Sequence, residues 1–158
     1  PEDMMKAGKA TIASFKPRSR FFHCEFFRLT EAKEGLGDVG TIVGLEVNMR
    51  PPGGYTPDMF NFANDIDCYR IYADMITNGT ATFETERPYH CVYVGKRDAI
   101  NYKHSRMDVD RKFAGHINLA GRMPDLLSVA MGQDMFIARF KTMEEVNKFV
   151  SYVYERNN

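Results

Sequence analysis

Two glutamates, an asparagine and an arginine hold the chemistry that this sequence can most readily offer. Glu25 sits in the phenylalanine-rich run FFHCEFF, and Glu46, Asn48 and Arg50 alternate through LEVNMR. Both runs have strand composition, and the segment between them is punctuated by Gly35, Gly37 and Gly40. Side chains on a strand point alternately to opposite faces. Phe21, His23, Glu25 and Phe27 therefore share a face of the first strand, and Glu46, Asn48 and Arg50 share a face of the second. Folding the hairpin between Gly35 and Leu36 sets Glu25 opposite Glu46. Carboxylates facing each other across a sheet repel, so the pairing asks for a cation. A hard divalent ion takes oxygen ligands from one or two carboxylates and leaves other positions to water or phosphate. Asn48 adds a carbonyl oxygen, and Arg50 a fixed charge suited to a phosphoryl or carboxylate group. Pro51, Pro52, Gly53 and Gly54 then form a stiff turn whose backbone N–H groups can approach an anion. Together these are the parts of a Mg·ATP phosphoryl-transfer site. The competing reading places both glutamates as solvated residues on the open face of an antiparallel sheet.

Glu25 on one strand and the string Leu45-Glu46-Val47-Asn48-Met49-Arg50 on the next resemble the metal-binding end of the ATP-grasp fold, as in the carbamoyl-phosphate synthase large subunit and biotin carboxylase. The family pattern is an acidic residue followed on the next strand by Glu-x-Asn-Pro-Arg, and Met49 stands where proline is usual. The resemblance covers about residues 20–60 and is vaguer on either side. It implies that Glu25, Glu46 and Asn48 hold Mg²⁺ (or Mn²⁺) and with it ATP, and that Arg50 faces the transferred phosphate as the catalytic residue. Gly53, Gly54 and Tyr55 are the expected substrate contacts. The implied activity is ligation of a small carboxylate to an amine or related nucleophile through an acyl phosphate. In such enzymes the residues that hold adenine lie mostly upstream of the metal strands. The chain opens at Pro1-Glu2-Asp3 with no glycine-rich loop before the hairpin, so a C-terminal portion of a longer enzyme is expected, completed by an N-terminal lobe. A non-catalytic binding or assembly module, or a degenerate ATP-grasp relative, is the alternative.

The elements that must position this hairpin are legible in outline. The expected fold class is α+β: an antiparallel sheet with flanking helices over residues 1–80 (the C-terminal part of an ATP-grasp lobe, by the resemblance) and a small strand-rich α+β unit over residues 81–158. Met4, Ala7, Gly8, Thr11, Ile12 and Phe15 fall at helical spacing, and Lys16-Pro17 ends that helix. Lys6 and Lys9 lie on its other face and read as solvated. The insert Thr30–Gly40 is charged and glycine-rich and projects to solvent. Thr56-Pro57 starts a helix expected to run unbroken to Thr77 and to end at Asn78-Gly79. Its apolar stripe is Met59, Phe62, Ala63, Ile66, Tyr69, Ala73 and Ile76. Asp65, Asp67 and Asp74 do not share a face of it and read as solvated. Residues 88–96, 114–120 and 134–140 read as strands. GRMPDLLSVAMGQ reads as a loop with a short extended piece around Leu127–Ala130, and Asp108–Phe113 as a helical turn. Thr142-Met143-Glu144-Glu145 opens the last helix with a capping box, and Val146, Phe149, Val150 and Val153 form its buried stripe.

Other candidates are weaker. His23 shares the face of Glu25 and reads as a structural residue rather than a base behind the metal. His90, His104 and His116 are too dispersed for a ligand motif. Cys24, Cys68 and Cys91 are odd in number and lack CxxC spacing, so they read as reduced thiols of a cytoplasmic protein. With 21 basic against 21 acidic residues and a formal charge of zero, no electrostatic case exists for a nucleic-acid or anionic-membrane partner. Small-molecule acids and amines are the expected partners, with a homo-oligomer possible.

Overall fold

The computed structural model describes residues 2–84 and 86–157; Pro1, Thr85 and Asn158 lie outside the described residues. The chain is α+β, with six helices and two antiparallel sheets of two and three strands among those residues. It divides into two compact units, Pro1–Pro57 with Tyr69–Thr82, and Asp58–Cys68 with Phe83–Asn158.

The first unit is built on helix α1 (Glu2–Phe15) and the hairpin of strands β1 (His23–Arg28) and β2 (Ile42–Asn48). A two-stranded hairpin alone is marginal in water, and α1 supplies its support. The ring of Phe26 lies between Gly8 of α1 and Gly44 of β2: a Cβ at either glycine would sit 3.9 Å from it. Arg28 donates to both carboxylate oxygens of Asp3 at 2.7 and 2.8 Å and to the Gly40 carbonyl at 3.2 Å, joining the start of α1 to the end of the glycine-rich insert. Phe21 stacks on Tyr72 with ring centroids 5.6 Å apart. Along α1, Met4, Ala7, Gly8, Thr11 and Ile12 are half-buried, while Phe15 is exposed and no residue is fully buried. The stripe is real, but it covers an open hairpin rather than forming a closed core.

The helix expected from Pro57 to Thr77 is two helices, α2 (Thr56–Asn64) and α3 (Cys68–Asn78). The break is at Asp65, in the left-handed region at φ 50°, a conformation that Asp tolerates better than most residues. The side chain of Asn61 accepts from the Cys68 backbone N–H at 2.7 Å and so caps α3. Arg139 pairs with Asp65 and donates to the Phe62 carbonyl at 3.3 Å, so a strand distant in sequence holds the break in place. Past it the expected stripe is lost: Tyr69, Ala73 and Ile76 are exposed. The helix does end at Asn78, with Gly79 at φ 73° donating to the Met75 carbonyl at 3.1 Å.

The second unit has β3 (His90–Lys96), α4 (Arg106–Lys112), β4 (Ile117–Arg122), α5 (Asp125–Met131), β5 (Asp134–Phe140) and α6 (Met143–Val153). The strand order is β3-β5-β4, all antiparallel. Central β5 carries Phe136, Ile137 and Ala138 at no measurable exposure. Val146, Phe149 and Val153 of α6 pack into the same core, as does Val109 of α4. Capping boxes open both helices, Thr142 with Glu145 and Ser105 with Asp108. Segment 121–133, read as a loop, contains α5. Pro124 opens it, Asp125 lies in its first turn, and Gly132 at φ 90° stops it. The seven residues are too few to show a helical period. Gly95 is required here, because a Cβ would collide with the Met131 carbonyl oxygen.

Replacing Phe149 by Ala empties a fully buried site and is expected to cost about 3–5 kcal/mol by urea unfolding. The Arg28 hydrogen bonds, aided by the Met4 backbone N–H, hold the Asp3 carboxyl at about 2 instead of 3.8. A lowered carboxyl stabilises the fold above its ordinary value and loses that contribution as pH falls through the folded value. The stability difference between wild type and Asp3→Asn should therefore close between pH 3.8 and about 2, as read by circular dichroism.

Candidate metal centre

The hairpin register pairs His23 with Asn48, Cys24 with Val47, and Glu25 with Glu46. This is the pairing expected from folding the chain about its middle. Beyond Glu25 the register slips by one, so that Phe26 faces Gly44 and Leu45 is the extra residue of a bulge on β2. Leu45 is 55% exposed. A bulge bends its strand and re-aims the neighbouring side chains, and this one lies immediately beside Glu46.

Among the described residues, His23, Glu25 and Glu46 form a group whose ligand atoms all lie within 4.8 Å of one another. Both glutamates are exposed and His23 is half-buried, its side chain 18% accessible. Hydrogen bonds define the orientation of His23, Glu46 and Asn48. Asn48 approaches Glu46 Oε1 at 2.6 Å; a carboxylate only accepts, so the donor is the amide Nδ2. The same Nδ2 lies 3.0 Å from His23 Nε2, which must then be the accepting nitrogen. His23 Nδ1 donates to the Arg50 carbonyl at 3.1 Å. A ring N–H held by a backbone carbonyl fixes the tautomer, as it does in metal-ligating histidines, and leaves the other nitrogen free to accept, here from Asn48 and 3.6 Å from Glu46.

The donor set fits a divalent cation. His23 Nε2 and Glu46 Oε1 are 3.6 Å apart, and ligand atoms at about 2.0–2.2 Å from one ion lie about 3–3.5 Å from each other. A small inward movement of the exposed glutamate closes the difference. Asn48 departs from the expected role, because it turns its amide nitrogen rather than its oxygen to the group; serving as an oxygen ligand requires a half-turn of the amide. The guanidinium of Arg50 also lies elsewhere, donating to the Pro51 carbonyl at 3.0 Å. What ties Arg50 to the group is its backbone carbonyl. Gly53 and Gly54 are exposed in the turn that follows, Gly54 at φ 61°, and Tyr55 is half-buried. Glu25 further borders a groove of about 980 Å³ walled by Met4, Ile12 and Phe22.

Two of the dispersed histidines have partners elsewhere in the fold. His104 stacks on Tyr152 at 3.6 Å and bonds Glu155 at 2.8 Å. His116 bonds the Arg139 carbonyl at 3.2 Å and stacks on Phe140. Asp65 pairs with Arg139 and Asp74 lies 3.9 Å from Arg70, and both carboxylates remain about half accessible to solvent. Cys24, Cys68 and Cys91 are free thiols. Burial raises all three, Cys91 to about 11, which leaves little reactive thiolate. Of the three grouped residues, His23 was the hardest to find in sequence; the available signal was its alternation with Glu25.

Comparison with protein-family models, with curated proteins and with solved structures returned no match.

In chelator-treated protein, Glu25→Gln removes one of two facing charges. It should raise stability by about 0.2–1 kcal/mol, read as a higher urea midpoint at unchanged slope.

Proposed function

We propose that this chain supplies the metal-binding half of an ATP-dependent ligase of the ATP-grasp kind, joining a small carboxylate to an amine or related nucleophile. The observation that carries the reading is the direct pairing of Glu25 with Glu46, with Asn48 two residues further along the same strand. Two facing carboxylates with a third polar side chain form an oxygen-rich seat for Mg²⁺ or Mn²⁺. Bound Mg·ATP would supply the γ-phosphoryl group that activates the substrate carboxylate as its acyl phosphate.

The chain's own residues act by position and charge. Glu25 and Glu46 hold the cation on the open face of the hairpin, where phosphate oxygens can complete its coordination. Asn48 donates to Glu46 and can offer its amide oxygen once turned. Arg50 carries five N–H donors, one of them directed at the Pro51 carbonyl. The others suit two oxygens of the phosphoryl group or the acid. Gly53 and Gly54 leave the backbone open to an anionic substrate, and Tyr55 stands beside them. Free thiols agree with a cytoplasmic setting, and none of the described helices is long and apolar enough to cross a membrane.

Glu46→Gln in the full-length protein should lower ADP release by about 100-fold or more across a panel of acids and amines. Glu34→Gln, in the exposed insert, should leave it unchanged. Equal turnover by the Glu46 variant would remove the assignment.

A further inference from the structure

We propose that His23 is a third protein ligand of the cation held by Glu25 and Glu46, and that its imidazole makes the centre selective for a first-row transition ion such as Mn²⁺ over Mg²⁺. The inference rests on the cation of the reading above, not on its nucleotide or its reaction.

Three features converge. The ring is oriented from behind: Nδ1 donates to the Arg50 carbonyl at 3.1 Å, which leaves Nε2 as the accepting nitrogen, where it takes the Asn48 amide N–H. Nε2 stands 3.6 Å from Glu46 Oε1, near the spacing of two ligands on one ion. The space between them is filled by a cation mimic. Asn48 Nδ2 lies 2.6 Å from Glu46 Oε1 and 3.0 Å from His23 Nε2, each of its hydrogens satisfying one acceptor. An ion entering that position takes both lone pairs, and the displaced amide can turn to offer its oxygen. The resulting donor set is one nitrogen and two or three oxygens. Mg²⁺ demands oxygen ligands and retains its waters, whereas imidazole favours transition ions.

Transition ions bind most N/O sites more tightly than Mg²⁺, so the wild-type preference alone decides nothing. The deciding quantity is how the preference changes when the imidazole is removed. Mn²⁺ binding to the whole chain can be read by electron paramagnetic resonance, Mg²⁺ by competition, and coordinated imidazole by the nitrogen coupling in pulsed spectra. Wild type is expected to show that coupling. His23→Gln should lose it, bind Mn²⁺ about tenfold more weakly and keep its Mg²⁺ affinity. Glu46→Gln should lose both ions. Absence of nitrogen coupling in wild type overturns the proposal without any variant having to fold. So does coupling that survives in His23→Gln, or equal weakening of both ions in that variant. If Glu46→Gln still abolishes binding in those cases, the carboxylate centre stands and only the histidine's part falls. Wild-type protein that binds no Mn²⁺ overturns both.

Discussion

Two like charges directly across a sheet oppose the pairing that brings them together, and the hairpin of the first unit contains such a pair at Glu25 and Glu46. The surroundings answer that repulsion. Asn48 donates to Glu46, its nitrogen also engages His23, and the His23 ring is held from behind by the Arg50 carbonyl. One edge of the hairpin is thus committed to concentrating lone pairs at a single point. A sheet selected for stability alone would place a lysine or threonine opposite Glu25. Keeping the carboxylates together has a physical rationale if a cation joins them.

The rest of the first unit can be understood as support for that edge. Phe26 follows Glu25 and sits between two glycines, so the strand is located by a ring on one face while its carboxylate remains open on the other. Asp3, Arg28 and the Gly40 carbonyl close the far end. None of this produces a dry core, and α1 has no fully buried residue. The second unit is organised differently. Its central strand is almost wholly buried, and Phe113 meets Phe140 and Phe149 edge-on at 6.2 and 4.9 Å. Stability in that unit comes from apolar burial and aromatic packing. The order around Glu46 comes from polar orientation.

That contrast bears on the chemistry proposed for the hairpin. The donor groups are exposed or half-buried, so water and phosphate oxygens can share a cation with them. A closed site of four protein ligands would hold an ion for structure; an open one can present it to a substrate. The adjoining groove, the exposed glycines of the turn and the fork of Arg50 all border accessible space.

Much of this was legible from residue order, because the interactions involved are local. β5 matches its expected span, the α6 capping box lies within four consecutive residues, and the pairing of Glu25 with Glu46 follows from strand alternation and a central turn. Tertiary contacts decided the rest. The long helix breaks at Asp65 because Arg139, from a strand far along the chain, binds the residues at the break. Leu45 leaves the ladder as a bulge that no simple alternation contains. His23 joined the group, and Asn48 turned its nitrogen inward, because hydrogen-bond donors and acceptors were matched among three side chains and one carbonyl in space. Periodicity assigns a residue to a face; which atom it presents there depends on neighbours that only the folded chain brings within reach.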